Sequence, residues 1–123
     1  MLVLYGSRGS GSAAIEAALA LLGTPVRIVE AATWVPGPGL DELRTVNPLG
    51  QIPTLVLADG TVLTESAAIL LHLALTHPQS GLLPADPSAR AQAMRGLIYI
   101  ASNCYAAIGL IDYPERWCED ADE

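Results

Sequence analysis

The sequence predicts an α/β arrangement, a small mixed sheet with helices on its faces, followed by the beginning of an all-helical region. Three observations carry this expectation. Short apolar runs alternate with helical periodicities over residues 2–77. An Asp59-Gly60 pair splits the stretch TLVLADGTVL into two strands. A proline-punctuated segment at 78–87 then precedes a long run with helical spacing.

Taken in order, LVLY at residues 2–5 is a continuous apolar run suited to a buried strand. After a Gly/Ser stretch, AAIEAALALLG places Ile15, Leu19 and Leu22 on one helical face, with Gly23 as its stop. PVRIVE at 25–30 alternates as a second strand. ATWVPGPG is a loop by its prolines and glycines, and a short helical LDELRTV follows. The Asp-Gly hairpin comes next, then a helix in ESAAILLHLALTH that ends before Pro78. Beyond 78–87, a helix starting at Ser88 as cap spaces Met94, Ile98, Ala101 and Tyr105 for one face.

Composition narrows the function classes. The chain has 123 residues, 51% of them hydrophobic and 15% charged, which is a globular composition of about one-domain size. Its net charge is −7, and all six basic residues are arginine. Nucleic acid and anionic membranes need clustered positive charge, so both are excluded as expected partners. Six of the thirteen acids fall in residues 112–123, which reads as a solvated tail. Cys104 and Cys118 have no metal-ligand spacing, no metal site is expected, and the two read as free thiols of a reducing compartment. With no secretory signal pattern and no apolar run of membrane-spanning length, the expected location is cytoplasmic.

Two stretches carry candidate chemistry. GSRGSGS at 6–12 matches neither nucleotide-binding glycine pattern, and it has no P-loop lysine. It leaves three hydroxyls, Ser7, Ser10 and Ser12, at a helix start, where they serve as caps or as anion ligands. LTESAAI at 63–69 is a second helix start, with Thr64 as cap and Glu65 as first-turn acid. There Glu65 can take an ammonium group while Ser66 and the helix N–H groups take a carboxylate. Pro53 stands directly before a strand, either as its plain first residue or as a backbone device.

Read together, N-P-x-G-x-I-P at 47–53, the hairpin at 59–60 and T-E-S-x-A-I at 64–69 resemble the glutathione-binding half of the cytosolic glutathione transferases. The resemblance covers residues 2 to 77, while 88–111 look like the first helix of that family's helical domain. It implies a thioredoxin-like βαβ-α-ββα domain with a mixed four-stranded sheet over 1–77, a linker over 78–87, and a truncated helical domain with an acidic tail over 88–123. In such a fold Pro53 is cis and Ile52 offers its main chain to the cysteinyl backbone of glutathione. Glu65 and Ser66 hold the γ-glutamyl end, Gln51 lies near that end, and the Trp34–Val35 loop approaches the glycyl end.

The sulfur falls near the 6–12 turn. Bacterial members often carry a cysteine there, and this chain aligns Gly11 instead, between Ser10 and Ser12. Ser10 is then the expected thiolate donor, with Ser12, Ser7 and Tyr5 behind it. Tyr105 falls where some relatives keep a histidine. Cys104 is expected to be a buried helix thiol, His72 packed or capping, and His77 solvated.

The resemblance implies an enzyme of detoxification, a homodimer that uses glutathione as co-substrate on a small electrophile and has no other cofactor. The alternative is a non-catalytic module that keeps the fold for glutathione binding or dimerisation. If the chain stands alone, the exposed face of Met94, Ile98 and Leu110 should drive association.

Overall fold

In the computed structural model, which describes residues 1–118, β1 (Leu2–Gly6) is an inner strand. The sheet order is β2-β1-β3-β4, with β2 at Val26–Glu30, β3 at Thr54–Val56 and β4 at Val62–Thr64. β1 and β2 run parallel, and the β1/β3 and β3/β4 pairs are antiparallel, so the sheet is mixed as expected. Four of the tail's acids lie at 119–123, outside the described residues.

Alternation along the strands builds a core on each face. Leu4 and Leu55 point one way and are sealed by Ile15 and Leu19 of α1 (Ser12–Leu22) and by Ile69 and Leu73 of α3 (Ser66–Thr76). Tyr5, Val3, Val29 and Val56 point the other way, against Leu40 and Leu43 of α2 (Pro38–Val46). α1 ends at Gly23 in the left-handed region (φ 62°), the stop its position predicted. The hairpin spans five residues. Leu57 O accepts from Gly60 N–H at 3.0 Å, Gly60 takes φ +88°, and Leu57 N–H closes on Thr61 O at 2.8 Å.

The chain divides between Leu83 and Pro84, inside the expected 78–87 linker. Leu82 packs against the core of the first unit. In the second unit, α4 (Pro87–Tyr99) is capped by Asp86, not by Ser88. Asp86 Oδ2 accepts from Ala89 N–H at 2.8 Å, and Pro87 at the first helical position sacrifices no needed donor. A π-helical segment, Ile100–Tyr105, joins α4 to α5 (Ala106–Asp112). The wider π turn shifts the side-chain phase, so the spacing of Met94, Ile98, Ala101 and Tyr105 does not describe one straight stripe. Met94, Ile98 and Leu110 are exposed in this unit. The continuous stretch Pro87–Asp112 is 26 residues and contains an 18-residue window of mean hydropathy 1.3, long and apolar enough by length and composition to cross a membrane. This corrects the expectation of no apolar run of membrane-spanning length: Arg95, Ser102 and Asn103 break the run, yet its average stays apolar.

One polar cluster ties β1, β2 and α2 together. The Tyr5 hydroxyl, on a residue only 3% exposed, donates to Glu42 Oε1 at 2.9 Å, and the same oxygen takes the Arg27 guanidinium. Burial, then Glu42, pushes the Tyr5 hydroxyl above its usual pKa. Arg27, then Tyr5, holds the Glu42 carboxyl below the usual range. A depressed carboxyl stabilises the fold fully above its unfolded pKa of about 4.3 and loses that contribution as pH falls through its folded value. Acid titration of the thermal midpoint should therefore contain a component that disappears in Glu42→Gln. An identical acid profile in that variant would remove Glu42 from the account.

Candidate active site

The register places the candidate residues at one end of the sheet. Tyr5 pairs with Thr54, and Thr54 pairs with Thr64, giving a straight row across three strands. Adjacent strands lie about 4.8 Å apart, so this row is about 10 Å wide, comparable with an extended tripeptide. The 6–12 turn leaves the row after β1, Ile52 and Pro53 lead into it before β3, and Glu65 and Ser66 leave it after β4. Gly6 pairs with Glu30 in parallel register, which brings residues 31–35 to the same end. Trp34 and Val35 are exposed there, at 54% and 55%.

The serine turn is built around Ser12. A Cβ on Gly6 would stand 2.4 Å from Ser12 Cβ and Oγ, so only glycine lets Ser12 seat against β1. Ser12 is fully buried, and its Oγ accepts from Ser7 N–H at 3.2 Å and reaches Glu16 Oε1 at 2.9 Å. Ser7 is buried as well. Ser10 is half-buried, and its Oγ lies 2.7 Å from Ser7 O and 3.0 Å from Ser12 Oγ. The cap position of α1 is Gly11, which has no side chain to accept, and Ser10 Oγ beside it accepts from Ser12 N–H at 3.2 Å. Of the four candidate hydroxyls, Ser10 is the one with a route outward; Tyr5 is turned to Glu42 on the α2 side of the sheet.

The Ile52–Pro53 peptide bond is cis. The ladder begins at Thr54, and among the described residues no turn or cap hydrogen bond engages the N–H or C=O of Ile52. Its side chain packs into the α2-side core while the main chain stays free for an added strand. Pro53 is buried and Gln51 is exposed, with the Gln51 carbonyl held by Thr54 Oγ1 at 2.7 Å and Asn47 Nδ2 at 3.3 Å.

Glu65, not Thr64, is the cap residue of α3, and Thr64 is the last residue of β4. Glu65 stands at φ 66°, the one non-glycine residue with positive φ among those described. It is exposed, and its carboxylate has no partner among the described residues. Ser66, half-buried, opens α3, whose first turn has no side-chain cap. Backbone strain of this kind costs about 1–3 kcal/mol, and it concentrates where geometry serves a ligand.

The remaining expectations divide. Cys104 is exposed within the π segment, which corrects the buried-thiol expectation, and Cys118 is exposed and free as well. Tyr105 belongs to the same segment of the second unit and is 42% exposed. His77 is half-buried rather than solvated, with Nδ1 2.9 Å from Leu73 O at the end of α3. His72 is half-buried on α3. Among the described residues no His/Cys/Asp/Glu group is arranged for a metal.

Residues 12–76 match the family model of the glutathione S-transferase N-terminal domain. The chain belongs to the glutathione S-transferase family. An uncharacterised GST-like protein of Escherichia coli K12, YncG, is 36% identical over the whole of this chain and 60% of its own length. The maleylacetoacetate isomerase of Rattus norvegicus is 40% identical over 72% of this chain and 42% of its own. Among solved structures, a glutathione transferase homologue from Sulfitobacter with bound glutathione superposes with a TM-score of 0.84 at 33% identity. That match covers 98% of this chain and 58% of the Sulfitobacter protein. This transferase-family chain therefore spans about 60% or less of the length of these relatives.

The roles of two residues of the site, Asn47 at the head of the 47–53 motif and Glu16 on α1, are not read from the sequence. Asn47, only 6% exposed, ends α2 and braces the turn before Pro53. Its Nδ2 donates to Gln51 O and to Thr54 Oγ1 at 3.0 Å, and its Oδ1 accepts from Leu49 N–H at 3.2 Å. An asparagine before proline reads as loop chemistry, so only its burial discloses the role. Glu16 reads as an ordinary surface helix residue, yet it meets Ser12 one turn away.

Proposed function

We propose that this chain binds glutathione across the Tyr5–Thr54–Thr64 row and stabilises its thiolate for attack on a small electrophile. The carrying observation is that row, which sets the serine turn, the free main chain of Ile52 and the strained Glu65 side by side. In this reading Glu65 takes the γ-glutamyl ammonium, and Ser66 with the α3 N–H groups takes its carboxylate. Gln51 lies near that end, Ile52 pairs with the cysteinyl backbone, and Trp34–Val35 border the glycyl end. The Ser10 hydroxyl donates a hydrogen bond to the sulfur, which lowers the thiol pKa because the charged form is the one stabilised. Glutathione is the co-substrate, and no further cofactor enters. A homodimeric cytoplasmic enzyme of detoxification is the setting this reading gives it, supported by the bacterial relatives and the exposed apolar residues of the second unit.

A second reading is isomerisation, favoured by the names of the rat and Rhizobium meliloti relatives, both maleylacetoacetate isomerases. There the thiolate would add to an unsaturated substrate and leave again, where a transferase keeps the new S–C bond.

Calorimetric titration of glutathione with a thiolate absorbance readout tests the site. Wild-type protein should bind with a lowered thiol pKa. Ser10→Ala should still bind, with the bound thiol's pKa raised by about 1–2, the worth of one hydrogen bond to a charged group. Binding without any lowering in the wild type would favour the non-catalytic module, and no binding at all would sink the proposal.

A further inference from the structure

The geometry points to a proton route from the bound thiol to solvent, Ser10 to Ser12 to Glu16, and we propose that Glu16 is its terminal acceptor. The inference rests on the reading that Ser10 faces the sulfur. Two contacts define the route, Ser10 Oγ to Ser12 Oγ at 3.0 Å and Ser12 Oγ to Glu16 Oε1 at 2.9 Å, and Ser12 N–H donates to Ser10 Oγ at 3.2 Å to hold the pair together. The middle hydroxyl is fully buried, whereas Ser10 and Glu16 at the two ends are half-buried. A buried hydroxyl between two partly solvated groups is the arrangement of a wire rather than of a cap.

Proton ownership along the wire is set by acceptor strength. The single Ser12 proton has two acceptors in reach, Ser7 O at 3.2 Å and Glu16 Oε1 at 2.9 Å. The carboxylate is nearer and charged, and charge-assisted hydrogen bonds are about twice as strong as neutral ones. With its proton on Glu16 and Ser7 N–H on one lone pair, Ser12 offers the other lone pair to Ser10. The Ser10 proton has Ser7 O at 2.7 Å and Ser12 Oγ at 3.0 Å in reach and turns to Ser12 for the relay. Hydrogen bonds in such a chain polarise one another, so Glu16 makes Ser12 a better acceptor for Ser10.

When glutathione arrives, one concerted shift completes the step. The S–H bond breaks as a new O–H forms on Ser10. The former Ser10 proton passes to Ser12, the former Ser12 proton passes to Glu16 Oε1, and the electron pair stays on sulfur. The carboxylate becomes a carboxylic acid, which returns its proton to water at its exposed edge. No other reactant is needed. The shift also leaves the Ser10 O–H pointing at the thiolate, the orientation that stabilises it. Glu16 touches neither sulfur nor electrophile; it acts through Ser12.

Rapid mixing of the full chain with glutathione, followed by thiolate absorbance at fixed pH, tests the route. Glu16→Gln keeps an oxygen to accept the Ser12 hydrogen bond but cannot take up a proton. Both Glu16→Gln and Glu16→Ala should slow thiolate appearance by at least about tenfold while the final amplitude stays near wild type, within the range of a lost general base. Added acetate should restore the rate in Glu16→Ala. Wild-type speed in Glu16→Gln would overturn the route and leave Glu16 a purely structural partner of Ser12. The underlying reading is tested separately by Ser10→Ala: loss of thiolate amplitude supports it, whereas a wild-type amplitude refutes both it and the route. Circular dichroism of each variant shows that the fold is retained.

Discussion

Replacing Glu65 with glycine is expected to raise the unfolding temperature and, in the same protein, to weaken glutathione binding about ten- to a hundredfold. The two effects have opposite signs because they act on different atoms. Glu65 holds φ 66° and ψ 115°, a backbone region that a Cβ opposes and glycine enters freely. Relief of that strain is worth about 1–3 kcal/mol, offset by about 0.5–1 kcal/mol because glycine gains more freedom in the unfolded chain. Glycine is also an acceptable helix cap. The carboxylate, in turn, is the group assigned to the ligand's ammonium, and a charge-assisted hydrogen bond is worth about 1.5–3 kcal/mol. Thermal melts and calorimetric titration on one preparation read both quantities. A lower midpoint would mean the backbone is relaxed at Glu65; unchanged affinity would take Glu65 out of the site.

The largest loss of stability is expected from Gly39→Ala. A Cβ at Gly39 would stand 1.9 Å from Glu30 O and 2.9 Å from Glu30 C, both backbone atoms. Glu30 has little room to yield, since it pairs with Gly6 in the ladder and Ala31 N–H bonds to Gly6 O at 2.8 Å. The clash must therefore push α2 away from the sheet, disturbing Leu40 and Leu43 in their buried seats. Overpacking costs about 1–3 kcal/mol, and the upper end is expected where backbone is the obstacle. The displacement would also be felt at Gly6, which pairs with Glu30 and seats Ser12 of the serine turn. Gly37→Ala, whose Cβ would meet nothing within 4 Å on an extended backbone, should stay within about 0.5 kcal/mol of wild type. Urea denaturation separates the cases; a cost below about 1 kcal/mol for Gly39→Ala would refute the close-approach argument.

Most of the fold was legible because its signals are local. Gly23 stops α1, Asp59-Gly60 turns the hairpin, and the apolar spacing of Ile15 and Leu19 marks the helix face that the sheet buries. The site was legible where a motif carries its own geometry, as N-P-x-G-x-I-P does at 47–53. What stayed hidden depends on long-range placement. Nothing about a glutamate signals positive φ, so Thr64 looked like the better cap. Asp86 and Ser88 both suit a helix start, and the preference of Pro87 for the first helical position decides between them. The π segment leaves no mark on a periodicity of 3.6. Tyr5 could not be assigned to Glu42, 37 residues away, before α2 was folded over the sheet.

The register row across β1, β3 and β4 also bears on how such a chain can vary under selection. Three separate stretches of sequence owe their proximity to two pairing registers, Tyr5 with Thr54 and Thr54 with Thr64. A one-residue slip in either pairing would turn every side chain of a strand to the opposite face and separate the serine turn from Glu65. The 57–61 loop lies at the far end of the sheet, so added residues there leave the row untouched. Descendants of this sequence are therefore free to drift in length at one end of the sheet and are held to a fixed count at the other.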